Sequence, residues 1–282
     1  LMALLGAHVS IQGGVSESIS RGEALGCEAI QIFTRNQRQW EAPPLKREQA
    51  ESFRKRFRDS DIQCVVSHGS YLMNLASPEA EQLERSYSVL LDEIDRAEQL
   101  GISYFVFHPG SHKGAGEAAG IDILSECLIR ALGETKSSQL MLLIENTSGA
   151  ANTLGGRFEQ LQEVLERVNQ PDRLGVCFDT AHAFGAGYEL SAPKKIERTF
   201  AKLDSMIGHE TIHVFHLNDS KVAWASHKDR HEHIGDGKIG IDVFKTLVNS
   251  KSFQERPMIL ETPGDADDYR KNLELLKQLR KS

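Results

Sequence analysis

Residues 174–184 read LGVCFDTAHAF, an apolar run of strand length that ends on a carboxylate and carries an imidazole three residues further on. Side chains of an extended chain alternate between two faces. Gly175, Cys177 and Asp179 therefore share one face, while Val176 and Phe178 share the other. The polar residue extends an otherwise apolar row at its carboxyl end. The same event recurs along the chain: LLGAHVS reaches His8, CVVSH His68, YFVFHPG His108, MLLIEN Glu145, IHVFHLND His216 and PMILET Glu261. The same alternation puts Ile212, Val214 and His216 on one face, and Tyr104, Val106 and His108 likewise.

Stretches of helical periodicity separate these runs. Residues 79–100 bring Leu83, Tyr87, Leu90, Leu91, Ile94, Ala97 and Leu100 to one face, with Ser77-Pro78 as the start signal and Gly101 as the stop. Further helices are expected near 14–25, 46–58, 121–133, 158–169, 193–207, 240–250 and 267–280. Strands are expected at 4–8, 29–34, 62–68, 103–108, 140–145, 174–179, 211–217 and 257–261. Alternating strands and helices predict a parallel sheet, and eight such units close a (β/α)8 TIM barrel. The carboxyl ends of all strands then converge on one face, where barrel active sites are built. Two loops exceed what a barrel needs: TRNQRQWEAPP (34–44) and SKVAWASHKDRHEHIGDGKIG (220–240).

The chain of 282 residues matches one such barrel, so residues 1–282 are read as a single domain. At 40% hydrophobic and 26% charged residues the composition is that of a soluble globular protein. No apolar run approaches the roughly 20 residues of a membrane span, and no signal peptide opens the sequence. Leu1 ahead of Met2 reads as a tag remnant. The cysteines (Cys27, Cys64, Cys127, Cys177) form no CxxC pair. They are expected as free thiols, Cys64 and Cys177 buried, in an intracellular protein. A net charge of -7 argues, taken alone, against a nucleic-acid partner. Three bound divalent cations would bring it close to neutral, with the positive charge concentrated at the site.

DTAH supplies Asp179 and His182, and DRHEH supplies Asp229, His231 and His233. Together with His68, His108, Glu145, His216 and Glu261 they form a donor set of imidazoles and carboxylates without cysteine. Such a set suits zinc, and manganese or iron bind the same donors. It exceeds the three protein ligands that one catalytic zinc takes, so two or three metals sharing bridging carboxylates are expected. Metals about 3.5–4 Å apart serve phosphoester hydrolysis. A single histidine at a strand end is more often a hydrogen-bonded structural residue, and His209 and His213 are read that way. Recurrence at successive strand ends argues against that reading for the rest.

Nine segments, GAHVSIQGG (6–14), FTRNQRQW (33–40), HGSYLMNLASP (68–78), FHPGSH (107–112), IENTSG (144–149), GVCFDTAHAFGAGY (175–188), HLNDSK (216–221), DRHEHIGDGKIG (229–240) and ILET (259–262), run in order over nearly the whole chain. They resemble endonuclease IV, the apurinic/apyrimidinic-site endonuclease family of base-excision repair. The resemblance implies a phosphoric diester hydrolase with three zinc ions. It would cleave 5′ to an abasic site in duplex DNA, leave a 3′-hydroxyl and remove blocked 3′ ends. By motif, His68, His108 and Glu145 would hold one zinc, and Glu145 would bridge to a second held with Asp179, His216 and Glu261. His182, Asp229 and His231 would hold the third. Glu145 and Glu261 would be catalytic, Glu261 by orienting the attacking water or taking its proton.

Arg38, Tyr71 and Leu72 stand where the family inserts side chains into the duplex, a wedge that unstacks bases. Flipping a nucleotide costs least where no base stacks, which selects abasic sites. Arg35, Lys221, Lys228 and Arg230 are read as phosphate contacts. His8 and His112 are expected to orient ligands through hydrogen bonds. A monomer without a required protein or membrane partner is expected, in the cytoplasm and on the nucleoid when acting. The nearest rival is a metal-dependent sugar isomerase on the same barrel, which should show a carboxylate-dominated site with a catalytic lysine and no DRHEH loop. A barrel amidohydrolase should show HxH on its first strand, where His8 stands alone. A non-catalytic zinc module should close each metal with four protein ligands.

Overall fold

The computed structural model describes residues 2–136 and 138–280, so Leu1, the expected tag remnant, lies outside it. Its strands are β1 (Leu4–His8), β2 (Ala29–Phe33), β3 (Cys64–His68), β4 (Tyr104–Phe107), β5 (Met141–Glu145), β6 (Leu174–Asp179), β7 (Ile212–His216), β8 (Asp219–Ser220), β9 (His231–Glu232) and β10 (Pro257–Leu260). All but β8 and β9 pair in parallel and close a barrel in the order β1-β10-β7-β6-β5-β4-β3-β2. Its helices are α1 (Glu17–Leu25), α2 (Arg47–Arg58), α3 (Ala80–Leu100), α4 (Glu117–Glu134), α5 (Phe158–Val168), α6 (Thr180–Ala186), α7 (Pro193–Ile207), α8 (Ile241–Val248) and α9 (Ala266–Leu279). This is a (β/α)8 TIM barrel. Among the described residues no helix is long and apolar enough to cross a membrane.

Strand alternation divides the core in two. Ala29, Val66, Val106, Leu143, Cys177, Val214 and Ile259 form a fully buried layer inside the barrel. Their neighbours Ile30, Phe105, Phe107, Leu142, Ile144, Val176 and Phe178 point outward and pack in the larger core. On α3 the face from Tyr87 through Leu90, Ile94 and Ala97 to Leu100 is buried as its periodicity dictates. Gly101 closes that helix in the left-handed conformation, φ 73°. The helix begins at Ala80, and Ser77 Oγ accepts the N–H of Glu79 just ahead of it.

Four features depart from the sequence reading. The fourth helix starts at Glu117 rather than 121, carrying its first turn through Glu117, Ala118, Ala119 and Gly120, small or charged residues that apolar periodicity does not mark. The seven-residue α6 springs directly from β6, with Asp179 as N-cap accepting the N–H of His182 at 2.7 Å. The 220–240 loop contains the antiparallel pair β8–β9. Finally, Ile212 does not share a face with Val214, because the β6–β7 register shifts: Val176 pairs with Ile212 and Cys177 with Val214. Ile212 packs in the outer core, and the extra residue, His213, lies against Tyr104 with ring centroids 5.8 Å apart. Arg256 Nη1 donates to His213 Nδ1 at 2.8 Å. Burial and then Arg256 push its pKa down to about 4, so the ring is neutral. His213 is thus a structural residue, as expected, and His209 lies on the surface beside Asp204.

Gly175 accommodates this bulge. A Cβ there would stand 2.5 Å from His213 Cδ2 and 2.9 Å from the Thr211 carbonyl. Gly175→Ala should destabilise the fold by about 1–3 kcal/mol, the usual cost of overpacking. Gly133→Ala on α4, where an added Cβ meets nothing within 4 Å, should stabilise it by about 0.5–1 kcal/mol. Urea unfolding of both variants checks the two signs.

Candidate metal centre

The barrel's interior layer generates the site. Moving two residues up each strand keeps the same face and climbs roughly 6.6 Å. From Val66 this leads to His68, from Val106 to His108, from Leu143 to Glu145, from Cys177 to Asp179, from Val214 to His216 and from Ile259 to Glu261. The same step from Ala29 leads to Gln31. A ring of polar side chains therefore crowns an apolar plug. Glu145, Asp179 and His216 are completely buried, and His68 and His182 nearly so.

Glu145 stands at the centre. Its Oε2 lies 3.1 Å from both His68 Nε2 and His108 Nε2, and its Oε1 lies 3.0 Å from His216 Nδ1 and 3.0 Å from His182 Nδ1. Ligand-type atoms gather in three groups: His68, His108 and Glu145; Glu145, Asp179, His216 and Glu261; and Asp179, His182 and His231. Neighbouring groups share a carboxylate, first Glu145 and then Asp179. Asp229 joins the last group, 3.2 Å from His182 Nε2 and 3.1 Å from His231 Nε2. A separate trio, Asp204, His209 and Glu210, is exposed on the surface and belongs to no such network.

Hydrogen bonds fix which ring nitrogen faces the carboxylates. His68 Nδ1 bonds the Gly69 carbonyl at 2.9 Å, His182 Nδ1 the Asn146 carbonyl at 2.9 Å, and His231 Nδ1 the Glu261 carbonyl at 3.1 Å. A carbonyl only accepts, so these Nδ1 atoms carry the proton. In the neutral rings Nε2 then turns a lone pair toward carboxylate oxygens. His216 is held the other way round, with Nε2 bonded to Gln31 Oε1 at 2.8 Å and Nδ1 facing Glu145 and Glu261. Lone pairs aimed at anions repel unless a cation lies between them. His231 Nε2 is buried and makes no hydrogen bond. The donor set and this unpartnered nitrogen both fit divalent metal ions.

The charge balance points the same way. Burial works against charge on Glu145, but His216 and His108 outweigh it and hold the carboxyl well below the usual carboxylate range. Burial lowers His182, yet Asp179 and Asp229 lift it well above its ordinary value. Burial likewise opposes a charge on His231, while Asp229 and Asp179 bring its pKa up to about 9. The carboxylates thus demand positive charge among the rings, which a bound cation supplies.

Residues that the sequence reading passed over complete the shell. Gln31 Nε2 donates to Glu261 Oε1 at 2.7 Å and lies 3.0 Å from His8 Nδ1, so it links three strands. Its signal was legible: AIQIF places one amide on the inward face of an apolar strand. Asn218 donates to Asp179 Oδ2 at 2.7 Å and accepts the Glu261 N–H at 2.9 Å. Asn146 pairs with the backbone of Asp179 in both directions, at 2.7 and 3.0 Å. Tyr269 on α9, with Phe33, Tyr71, Arg230 and Glu261, borders a cavity of about 420 Å³ that opens beside the ring. Two more apolar grooves, about 400 and 290 Å³, lie on the flanks of α7 and hold none of these ring donors.

The structure sorts the other expected residues. Tyr71 is 65% exposed at the rim, its ring edge-on to Phe33 at 5.4 Å. Leu72 is half-buried and Arg38 exposed, while Lys221, Lys228 and Arg230 are exposed along the 220–240 loop. Arg35 is not a surface cation. It is buried, pairs with Asp92 at 2.7 Å and donates to the Gln39 carbonyl at 2.9 Å, so it builds the 34–44 loop. His8 is linked to Glu261 through Gln31. His112 does not orient a ligand: its Nδ1 accepts the N–H groups of Gly114 and Gly116 at 3.2 Å and folds its own loop. His233 bonds Asn272 on α9 at 3.0 Å. All four cysteines are free, with Cys64 only partly buried.

Residues 19–279 match the family model described as xylose isomerase-like TIM barrel. A chain named probable endonuclease 4 from Chloroflexus aurantiacus is 45% identical over 99% of this chain and 98% of its own length. Its namesake from Geobacter sp. strain M21 is 42% identical over 99% of both chains. The crystal structure of endonuclease IV from Thermus thermophilus superposes with a TM-score of 0.88 at 33% identity, covering 98% of each chain. A D-tagatose 3-epimerase-like protein, 21% identical with a TM-score of 0.76 and covering 98% of this chain and 96% of its own, shares the fold alone. With its barrel, its ring of shared carboxylates and these relatives, the chain belongs to the endonuclease IV family.

Proposed function

We propose that this protein hydrolyses the phosphodiester 5′ to abasic sites in duplex DNA, leaving a 3′-hydroxyl, and trims blocked 3′ ends. The observation that carries the reading is the sharing of Glu145 and Asp179 among three contiguous donor groups, which suits closely spaced ions rather than one isolated metal. His68, His108 and Glu145 would hold one zinc; Glu145, Asp179, His216 and Glu261 a second; and His182, Asp229 and His231 a third. Manganese or iron would fit the same donors. Bound there, the ions supply an activated water at neutral pH and charge stabilisation for phosphoryl and leaving oxygens.

The chain's own residues divide the remaining work. Glu261 is the inner carboxylate that solvent reaches, its side chain 20% exposed against 1% for Glu145 and none for Asp179. It borders the open cavity, with Gln31 and Asn218 holding its oxygens, and would accept the proton of an attacking water. Tyr71 borders the cavity, and with Leu72 and the exposed Arg38 it would wedge the duplex open. Lys221, Lys228 and Arg230 would neutralise phosphates. A sugar isomerase is disfavoured, since no lysine lines the cavity among the described residues. We read the whole chain as one domain acting as a monomer in the cytoplasm, at the nucleoid when engaged.

Incision of a duplex with one synthetic abasic site, without added magnesium, tests the reading. Cleavage 5′ to the lesion should vanish on prolonged chelation and return with zinc. Metal-loaded protein that leaves the duplex intact would redirect the assignment to another phosphoester. Glu261→Gln should keep the fold and most of the metal yet lose about 10²–10⁴ in turnover, the range for a general base; wild-type kcat would remove Glu261 from that role. Tyr71→Ala should weaken duplex binding about tenfold, as for loss of a stacking or wedging aromatic, and spare hydrolysis of a small phosphodiester. Equal duplex affinity in a gel-shift titration would argue against the wedge.

A further inference from the structure

The three donor groups differ in how the fold holds them. His68, His108, Glu145, Asp179, His216 and Glu261 end or immediately follow barrel strands, whereas Asp229 and His231 ride on the 220–240 excursion. Its only ladder is β8–β9, where Asp219 pairs with Glu232 and Ser220 with His231. Two further backbone bonds, Lys221 N–H to the Arg230 carbonyl at 2.9 Å and Lys238 N–H to the Ser220 carbonyl at 2.7 Å, brace it. The tip docks on α6 through the Ala225 and His227 N–H groups, at 3.1 and 2.9 Å. Ala225 and His227 both take positive φ, 54° and 53°, a conformation that costs a residue other than glycine and persists only where surroundings impose it.

Beneath this arm lies Asp219, fully buried. Its Oδ1 accepts the N–H groups of Ser220 at 2.7 Å and Ile239 at 2.9 Å. Its Oδ2 accepts those of Gly235 at 3.0 Å and Gly237 at 3.1 Å. No cation pairs with it among the described residues. Desolvating a carboxylate costs several kcal/mol, so a buried one held solely by backbone donors needs all of them in place. The fit is tight: a Cβ on Gly237 would sit 2.3 Å from Oδ1.

We infer that Asp219 is a positioning residue that ties both ends of the arm together, and through the arm sets the occupancy of the outermost metal. The inference rests on the metal reading above. It separates the three sites, because the inner two depend on barrel strands and the outer one on this clamp as well.

Two substitutions break the clamp from opposite sides. Asp219→Asn replaces one acceptor oxygen with an N–H donor facing two N–H groups. Gly237→Ala keeps the carboxylate and pushes the backbone off it. Each should carry about one metal equivalent fewer than wild type by elemental analysis after gel filtration. Each should also be cut by trypsin at Lys221, Lys228 or Arg230 at least tenfold faster. Circular dichroism should stay unchanged, and excess zinc should restore part of the missing equivalent. Folded variants with the wild-type metal count and protease resistance would overturn the inference. Wild-type protein holding no metal would defeat the metal reading instead, while proteolysis still decides the clamp. Hydrogen exchange on the wild type needs no variant: the Gly235, Gly237 and Ile239 amides should be protected like the barrel strands, and exchange at free-loop rates would equally overturn it.

Discussion

Everything at the top of this barrel is arranged around one carboxylate that the fold buries completely. Glu145 is completely buried and is approached within 3.1 Å by four imidazoles from four different segments. An isolated carboxylate in such a place would cost several kcal/mol, and neutral His68 and His216, with their lone pairs turned toward it, would not repay it. Positive charge must therefore be supplied, by protons on the rings or by metal ions among them. The backbone carbonyls of Gly69, Asn146 and Glu261 hold three of the rings in the orientation that favours the metal. The surrounding amides serve the same end: Gln31 and Asn218 bond the carboxylates of Glu261 and Asp179 directly, and Asn146 fixes the backbone of Asp179.

The apolar plug and the polar ring are one periodic object. A parallel barrel brings every strand into register, so two residues along any strand is one layer up. Hydrophobic burial of Val66, Val106, Leu143, Cys177, Val214 and Ile259 drives closure, and closure places six ligand-type residues within a few ångströms. The bulge at His213 keeps this arrangement consistent: it shifts β7 by one residue so that Val214 and His216, rather than His213 and Phe215, continue the interior row at the level of the other strands. Stability of the base and geometry of the site are thus set by the same strands.

The loops contribute what strands cannot. The strand-end donors form a closed, mostly buried set, and the 34–44 loop, the Tyr71–Leu72 turn and the 220–240 arm surround its open side. Each is held by a buried polar anchor rather than by apolar packing alone: Arg35 with Asp92 for the first, Ser70 N–H on Glu93 at 3.0 Å for the second, and Asp219 for the third. Such anchors let a loop present exposed residues such as Arg38, Tyr71 and Arg230 to a large substrate while its backbone stays fixed.

The sequence by itself determined the barrel and the strand-end donors. Period-two alternation is local, and a histidine or carboxylate at the end of LGVCFD or CVVSH is visible without knowing its neighbours. It also marked the 220–240 loop as excess to a barrel and carried the motifs of the family. It passed over Gln31, although AIQIF carries the signal, and it missed Asn146, Asn218 and Tyr269, because amides and phenols outside such a pattern join a site by what they face, and facing is decided across strands. It misjudged Ile212, because a bulge depends on the register of the partner strand. It also misread Arg35 and His112, since whether a cation meets solvent or is buried against an aspartate, or a ring meets a metal or its own loop, follows from packing over distances no local pattern records. Tertiary structure alone decided that four imidazoles close on Glu145, which the family motifs had marked as bridging, and that Asp219 holds the arm, for both arrangements exist only once distant backbone and side chains converge.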